Sequence, residues 1–356
     1  LECLPKSSAI TAILSLTNRP LQKTARNTMK QCVFILPYFG KFNNYFNFFL
    51  RSCKHNTDYD WVVLTDDKTP YDFPANVRPV YMSFDECRKR FQDKFDFDIS
   101  LNKPYKLCDF RPAYGYVFPE LIEEYPYWGF CDCDLIFGNL NKLLTPILQK
   151  NYDKVFAVGH LTMYRNYPEN NTRFMNELPG YGRVYKKALT TDESVVFDES
   201  YYRVNSHRIF EADHCRLWTK DLAYNTSVLW EPISRIRYND NEHRWRETNK
   251  VLHALYWTKG NIFDYRLSST NKPEEYLYAH FQWRKMDMQQ EVLASPAVLI
   301  SSHEFAPVNH IDKHRILSDI LNQFKTAICV SQLRRFKRLL INERNLKLPF
   351  GKNPYW

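Results

Sequence analysis

The chain has 356 residues, 44% of them hydrophobic and 16% aromatic, enough for one large domain or two modest ones and too apolar for disorder over most of its length. Only nine glycines argue against glycine-rich phosphate loops. The net charge of +9 is uneven: residues 325–356 hold eight basic side chains and one acid, Glu343, while residues 29–324 are nearly neutral, so no nucleic-acid partner is expected.

Residues 1–28 read poorly as structure, and Met29 precedes the first convincing strand, so 1–28 is set aside as a leader, an expression remnant or an upstream in-frame extension. Cys32-Val33-Phe34-Ile35-Leu36, closed by Pro37, has the pattern of a buried parallel strand. A helical pattern follows from about Asn43 to Cys53. Trp61 to Leu64 is a second buried strand, ending at Thr65-Asp66-Asp67, and Val77 to Tyr81 a third, with Ser83 or Asp85 placed to cap the next helix. This strand–helix–strand order starts an α/β sandwich, in which ligands gather at the carboxyl ends of strands. Pro37-Tyr38-Phe39-Gly40 and Asp66 lie at such ends.

Lys106 to Glu124 reads as helix, broken near Pro119. Tyr127 to Asp134 begins as a buried strand and ends in acids. If the strand continues through Asp132-Cys133-Asp134, both carboxylates share one face. Like charges so placed repel unless a cation intervenes, and a hard divalent ion with oxygen ligands is the simple solution. Such an ion can bridge the two phosphates of a nucleotide sugar and stabilise the departing diphosphate. A solvated acidic turn is the plainer alternative. Cys131 and Cys133 lack the second ligand pair of a zinc site and read as packed thiols. Val155 to Val158 is a further strand running into Gly159-His160. Residues 165 to 225 are irregular and polar, Tyr276 to Phe281 is a late strand, and helical patterns dominate after about 310.

Phe130-Cys131-Asp132-Cys133-Asp134 with Phe137-Gly138-Asn139-Leu140 resembles bacterial GT-A glycosyltransferases of the surface-polysaccharide (capsule and lipopolysaccharide) kind, in a largely uncharacterised family. Ile35 to Gly40, Leu64-Thr65-Asp66, Lys106, Asp109, Arg111-Pro112, Gly159-His160 and His280-Phe281-Gln282 support the resemblance, which runs from about 31 to 286. It implies an α/β GT-A fold, a Rossmann-like nucleotide-diphospho-sugar transferase sandwich with a C-terminal helical appendage. The catalytic domain is placed at 29–305, with a donor half at about 29–160 and an acceptor half at about 161–305, followed by a basic helical region at 306–356. The implied activity is metal-dependent transfer of a sugar from a nucleotide-diphospho-sugar, taken as a UDP-sugar, to a glycan or lipid-linked glycan, with Mn²⁺ or Mg²⁺ as the cation. Metal-dependent phosphodiester cleavage and non-catalytic carbohydrate binding are the competing readings.

The resemblance also implies roles. Asp132 and Asp134 hold the metal. Pro37, Tyr38 and Phe39 border the nucleotide, and Asp66 binds base or ribose or else caps a helix. Lys106, Asp109 and Arg111 reach ribose, phosphate or donor sugar, although Lys106 is better explained as half of a surface Lys–Asp pair at helical spacing. His280 completes the metal site or is merely packed among aromatics. His160 touches a sugar. Asp198, Glu199 and Asp213 are acids available to deprotonate an acceptor, with solvated loop acids as the default.

Nine irregularly spaced cysteines without a secretory signal suit a reducing, cytoplasmic setting. In the tail, Cys329, Leu333, Phe336 and Leu340 recur at helical spacing among Arg334, Arg335, Lys337 and Arg338. Residues 326–356 therefore suit either peripheral docking on an anionic inner membrane face or packing on the catalytic domain.

Overall fold

The computed structural model describes residues 30–325, except 202–203, 228–232, 240–243, 249–251 and 283. Residues 1–28, set aside above, and the basic segment at 326–356, with its membrane-docking expectation, lie outside the described residues. No helix among the described residues is long and apolar enough to cross a membrane.

The α/β class expected from the strand–helix–strand order is the one observed. The main strands are β1 (Cys32–Pro37), β2 (Tyr59–Thr65), β3 (Val77–Tyr81), β4 (Tyr127–Cys131), then, after the short β5 (Leu135–Phe137), β6 (Lys154–Val158), β7 (Leu161–Arg165) and β8 (Leu217–Trp218). They form a seven-stranded sheet in the order β3-β2-β1-β4-β7-β6-β8. β3, β2, β1 and β4 run parallel, and β7 is antiparallel to both its neighbours. The continuous apolar runs of β1, β2 and β4 are buried along nearly their whole length, as central parallel strands require.

The chain steps outward from β1 to β2 to β3 and returns to the other side of β1 as β4. This reversal opens a crevice between the carboxyl ends of β1 and β4, the place where open α/β sheets receive ligands. Pro37 and Asp132 stand at its two sides.

Two apolar layers cover the sheet. On one face, helix α1 (Phe46–Lys54) buries Phe46, Phe48, Phe49, Leu50 and Cys53. Phe49 joins Phe34, Trp61 and Phe137 in an aromatic cluster with ring centroids 5.2–6.2 Å apart. On the other face lie α2 (Phe84–Gln92), the 104–122 segment, α3 (Val184–Thr190) and α4 (Ser206–Ala212). Ser83 caps α2 in a full capping box with Glu86.

The 104–122 segment is not one helix. Pro104, Pro112 and Pro119 each restart it, giving short helical turns at 104–106, 107–110, 111–113, 114–117 and 119–122.

The acidic motif also departs from the expected strand. β4 ends at Cys131, and residues 132–134 turn so that the chain can leave the main sheet. The Asp132 N–H donates to the His160 carbonyl, while the Asp134 carbonyl accepts from the Phe281 N–H. β5 then joins a small sheet with β9 (Ala223–Asn225) and a late strand at Tyr278–His280. The remaining strands are β10 (Arg235–Asn239), β11 (Arg244–Thr248), β12 (His253–Thr258), β13 (Asn261–Arg266), β14 (Glu274–Tyr276), β15 (Tyr278–His280), β16 (Asp287–Met288), β17 (Ala297–Ile300) and β18 (Glu304–Val308). Six of them form the sheet β14-β13-β12-β17-β18-β16. Residues 313–325 are helical, and Ile316 and Ile320 pack on that sheet.

Candidate active site

Asp132, Asp134 and His280 converge where the main and small sheets meet. One ligand atom from each lies within 4.8 Å of the other two. His280 Nε2 is 3.5 Å from Asp134 Oδ1 and 3.8 Å from Asp132 Oδ2. The convergence comes from the turn and from pairing of β15 with β5, which sets His280 opposite Leu135.

Asp134 Oδ1 is buried without a hydrogen-bond partner. A buried carboxylate oxygen left bare is costly, so the site fits a cation. Burial and the neighbouring Asp132 push the Asp134 carboxyl well above its ordinary pKa, and burial raises Asp132 against the opposing pull of Arg111. Burial, His160 and Arg111 together hold His280 neutral, with its pKa well below 6.5. Two carboxylate oxygens and one imidazole nitrogen make a donor set suited to a divalent ion such as Mn²⁺.

Arg111 ties this centre to the loop that carries Asp198. Its guanidinium donates to Asp132 Oδ1, to Asp198 Oδ2 at 2.7 Å and to the Gly159 carbonyl. Asp198 is buried, and its other oxygen has no partner. Burial, opposed by Arg111, pushes its pKa to about 6; burial and Asp198 push Glu199 to about 8. Gly159 allows this approach, because a Cβ there would meet Glu199 Oε1 at 2.4 Å and Asp198 Oδ2 at 2.9 Å. Asp198 and Glu199 therefore pack against the β6–β7 turn, with Asp198 bridged through Arg111 to Asp132, and are not solvated loop acids. Asp213 does not join them: it is bound by Arg173 and Asn176, each at 2.7 Å.

His160 is buried, with its ring stacked on His280 at 4.2 Å between centroids and its Nε2 unpartnered. Burial and Arg111 lower its pKa to about 3.

Lys106 and Asp109 are placed differently from the donor contact expected of them. Both are fully buried and paired at 2.8 Å, so the pair is not a surface one either. The Lys106 ammonium also donates to the Ala188 and Glu193 carbonyls, and the Asp109 carboxylate accepts the Val195 and Phe197 N–H groups. Together they anchor the loop that delivers Asp198. A second acidic group, Cys108, Asp109 and Asp198, has metal-like spacing, but Asp109 is already saturated by these donors.

On the β1 side, Tyr38 stacks on Phe42 and Phe39 meets Phe84 edge-on. Pro37, Tyr38 and Phe39 are partly exposed at the crevice. Asp66 is exposed, and its Oδ1 accepts the Gly40 N–H at 2.7 Å; Gly40 needs its positive φ of 100° for this turn. Asp67, not singled out in the sequence, is the buried one, bound by Lys41, Thr69 and Tyr71.

The family model described as Family of unknown function (DUF6625) matches residues 34–309. The chain belongs to this family. The match spans Asp132, Asp134 and His280 and ends before the basic tail. No curated protein matches the chain. Among solved structures, the galactosyltransferase LgtC, in complex with donor and acceptor sugar analogues, is similar at 10% identity over 71% of this chain and 87% of that one, with a TM-score of 0.32. An active-site mutant of LgtC is similar at 8% identity over 72% and 88%, with a TM-score of 0.34. Mouse xyloside xylosyltransferase 1, in its apo form, is similar at 8% identity over 56% and 88%, with a TM-score of 0.31.

In this DUF6625 chain the partners of His280 went unrecognised in the sequence. Its Nδ1 is 2.9 Å from Asn225 Oδ1, and Gln282 Nε2 is 2.8 Å from the same oxygen. Asn225 carries no sequence pattern; only its pairing across β9 and β15 reveals it. The described cysteines, Cys131 and Cys133 among them, are free, and those two are buried as packed thiols.

Proposed function

We propose that this protein is a metal-dependent glycosyltransferase that uses a nucleotide-diphospho-sugar, with a UDP-sugar as the donor to test first. The observation that carries the reading is the convergence of Asp132, Asp134 and His280 at the β1–β4 crevice, with Asp134 Oδ1 buried and unpaired.

In this reading Asp132, Asp134 and His280 hold Mn²⁺ or Mg²⁺, which supplies Lewis-acid stabilisation of the leaving diphosphate. Tyr38 and Phe39 form an aromatic wall for the base, and the free oxygen of Asp66 accepts from base or ribose. Arg111 opposes the effect of burial on Asp132 and orients it by occupying Oδ1, leaving Oδ2 facing His280. Asp198 and Glu199 face the sugar from the acceptor half, where Glu199, with its raised pKa, can hold or release a proton near neutral pH. The acceptor in this reading is a glycan or lipid-linked glycan of a surface polysaccharide.

A two-metal phosphodiesterase is the less favoured reading. Among the described residues only one of the two groups with metal-like spacing includes an imidazole, and such enzymes use paired sites. The deciding experiment is a thermal-shift and hydrolysis panel of nucleotide sugars with and without Mn²⁺. Metal-dependent stabilisation by UDP and slow hydrolysis of one UDP-sugar are expected. Cleavage of a simple phosphodiester, with no response to any nucleotide sugar, would sink the proposal.

A further inference from the structure

The proton position on a histidine decides whether it can bind a metal, and here backbone geometry fixes it. The Thr226 carbonyl can only accept. Gln282 places its amide nitrogen 3.0 Å from that carbonyl, so this atom is the NH₂ group rather than the oxygen. The same nitrogen lies 2.8 Å from the Asn225 side chain, which must present its oxygen, since two NH₂ groups would oppose each other. That oxygen is 2.9 Å from His280 Nδ1, so Nδ1 carries the hydrogen. Nε2 is left with a bare lone pair, and it is the atom that faces Asp132 and Asp134.

We propose that Asn225 and Gln282 are positioning residues that relay the polarity of the Thr226 carbonyl to His280, locking its Nε2 as a ready metal ligand. The inference rests on the metal reading above, yet it concerns this chain's own hydrogen bonds, which exist without metal.

Three further observations fit. Asn225 and His280 are register partners on adjacent parallel strands, which fixes their separation. The Thr226 N–H and hydroxyl both donate to the His280 carbonyl, tying the same strand pair on its other side. Gln282 holds a φ of 53°, a left-handed conformation uncommon for a residue with a side chain, and its amide spans the two acceptors from there. Outer partners of this kind commonly fix a ligand's tautomer and raise its basicity.

The test uses the full chain labelled with ¹⁵N-histidine, metal-free at neutral pH, with His280 signals assigned by their loss in His280→Gln. The parent should show His280 protonated at Nδ1 and bare at Nε2. Asn225→Asp keeps an acceptor at the same place and should keep both the tautomer and Mn²⁺ affinity. Asn225→Leu removes the acceptor, and Gln282→Glu turns the donor into an acceptor that drives the Asn225 amide to flip. Both should lose the Nδ1–H tautomer and bind Mn²⁺ about 10–100-fold more weakly, read by paramagnetic resonance of free Mn²⁺. Gln282 is only partly buried, so Gln282→Glu serves if Asn225→Leu does not fold. A parent protonated at Nε2, or a Gln282→Glu variant with parental tautomer and affinity, overturns the relay. A parent that shows the Nδ1–H tautomer but binds no Mn²⁺ supports the relay and overturns the metal reading.

Discussion

Arg111 and Asp132 share only half of the aspartate: the guanidinium takes Oδ1, and Oδ2 of the same carboxylate is left facing His280. The other terminal nitrogen of Arg111 reaches Asp198 at 2.7 Å. One planar fork therefore sets the spacing between Asp132 and Asp198.

Arg111→Lys should break this bridge, because an ammonium on a single stem is a point charge and cannot span two carboxylates as a fork does. Turnover of the active nucleotide sugar should fall about 100-fold, the scale seen when one preorganised electrostatic donor is lost. Mn²⁺ binding should survive, since Asp132, Asp134 and His280 remain. Steady-state kinetics beside a Mn²⁺ titration checks this; unchanged turnover would show that Arg111 only neutralises charge.

Asp134→Asn tests the cation from the stability side. The folded-state pKa of Asp134 is raised, so in the window above the ordinary carboxylate value the native state binds more protons than the unfolded chain. Metal-free stability should therefore fall as pH rises from about 4 through the raised pKa. Asp134→Asn removes that charge, so the variant should melt higher than the metal-free parent at pH 8 and show a flatter pH dependence. Mn²⁺ should raise the melting temperature of the parent and not of the variant. Melts at pH 5 and pH 8, with and without Mn²⁺, give all four comparisons.

The sequence disclosed the parallel strands and the acidic motif because buried central strands leave continuous apolar runs, as in Val33 to Leu36 and Trp61 to Leu64. It misread the geometry of the motif. Alternation predicts a shared face for Asp132 and Asp134 on a strand, whereas the chain turns there to change sheets, and that change follows from pairing with β15 nearly 150 residues later. The roles of Lys106 and Asp109 were hidden for a related reason. Their spacing shows that they pair, but the carbonyls that accept from Lys106, those of Ala188 and Glu193, come from helix α3 and the loop after it, more than 80 residues away. Asn225 has no signature of its own, since its importance lies in which strand it pairs with.

The adjacent acids at the end of β2 should separate nucleotide binding from folding. Asp67 accepts from Lys41, Thr69 and Tyr71, and these hydrogen bonds outweigh burial to hold its pKa well below the usual carboxylate range. Asp67→Asn would turn an amide toward those donors and cost about 1–3 kcal/mol of stability. Asp66 is exposed, and its Oδ1 accepts the Gly40 N–H in this turn. Asp66→Ala should weaken UDP binding in the presence of Mn²⁺ with a smaller loss of stability. Calorimetry with UDP and chemical denaturation of both variants check the split. Equal UDP affinity in Asp66→Ala and the parent would return Asp66 to a purely local role in the turn.

Lys154 gives a pH prediction away from Asp132, Asp134 and His280. Its side chain is fully buried, and its ammonium finds no hydrogen-bond acceptor. It lies 5.5 Å from the Tyr164 ring centroid and 5.4 Å from that of Phe210, contacts that favour the charged form without satisfying its donors. Burial lowers its pKa to about 7, against the opposing attraction of Asp198 and Glu211. Between about pH 7 and the ordinary lysine value, the unfolded chain holds a proton that the native state has released, so this residue makes stability rise with pH. Below about pH 7 the native state carries the buried charge, and the penalty is fully present. Lys154→Met keeps the stem's shape and removes the amine. It should stabilise the protein by about 1 kcal/mol or more at pH 6, by removing an unsatisfied buried donor, and the gain should shrink as pH rises toward 9. Denaturant melts of parent and variant at pH 6, 7.5 and 9 isolate the effect, because tyrosine and cysteine titrations common to both proteins cancel in the difference. A variant less stable than the parent at pH 6 would mean that the ammonium is held by stronger interactions than the two aromatic faces supply.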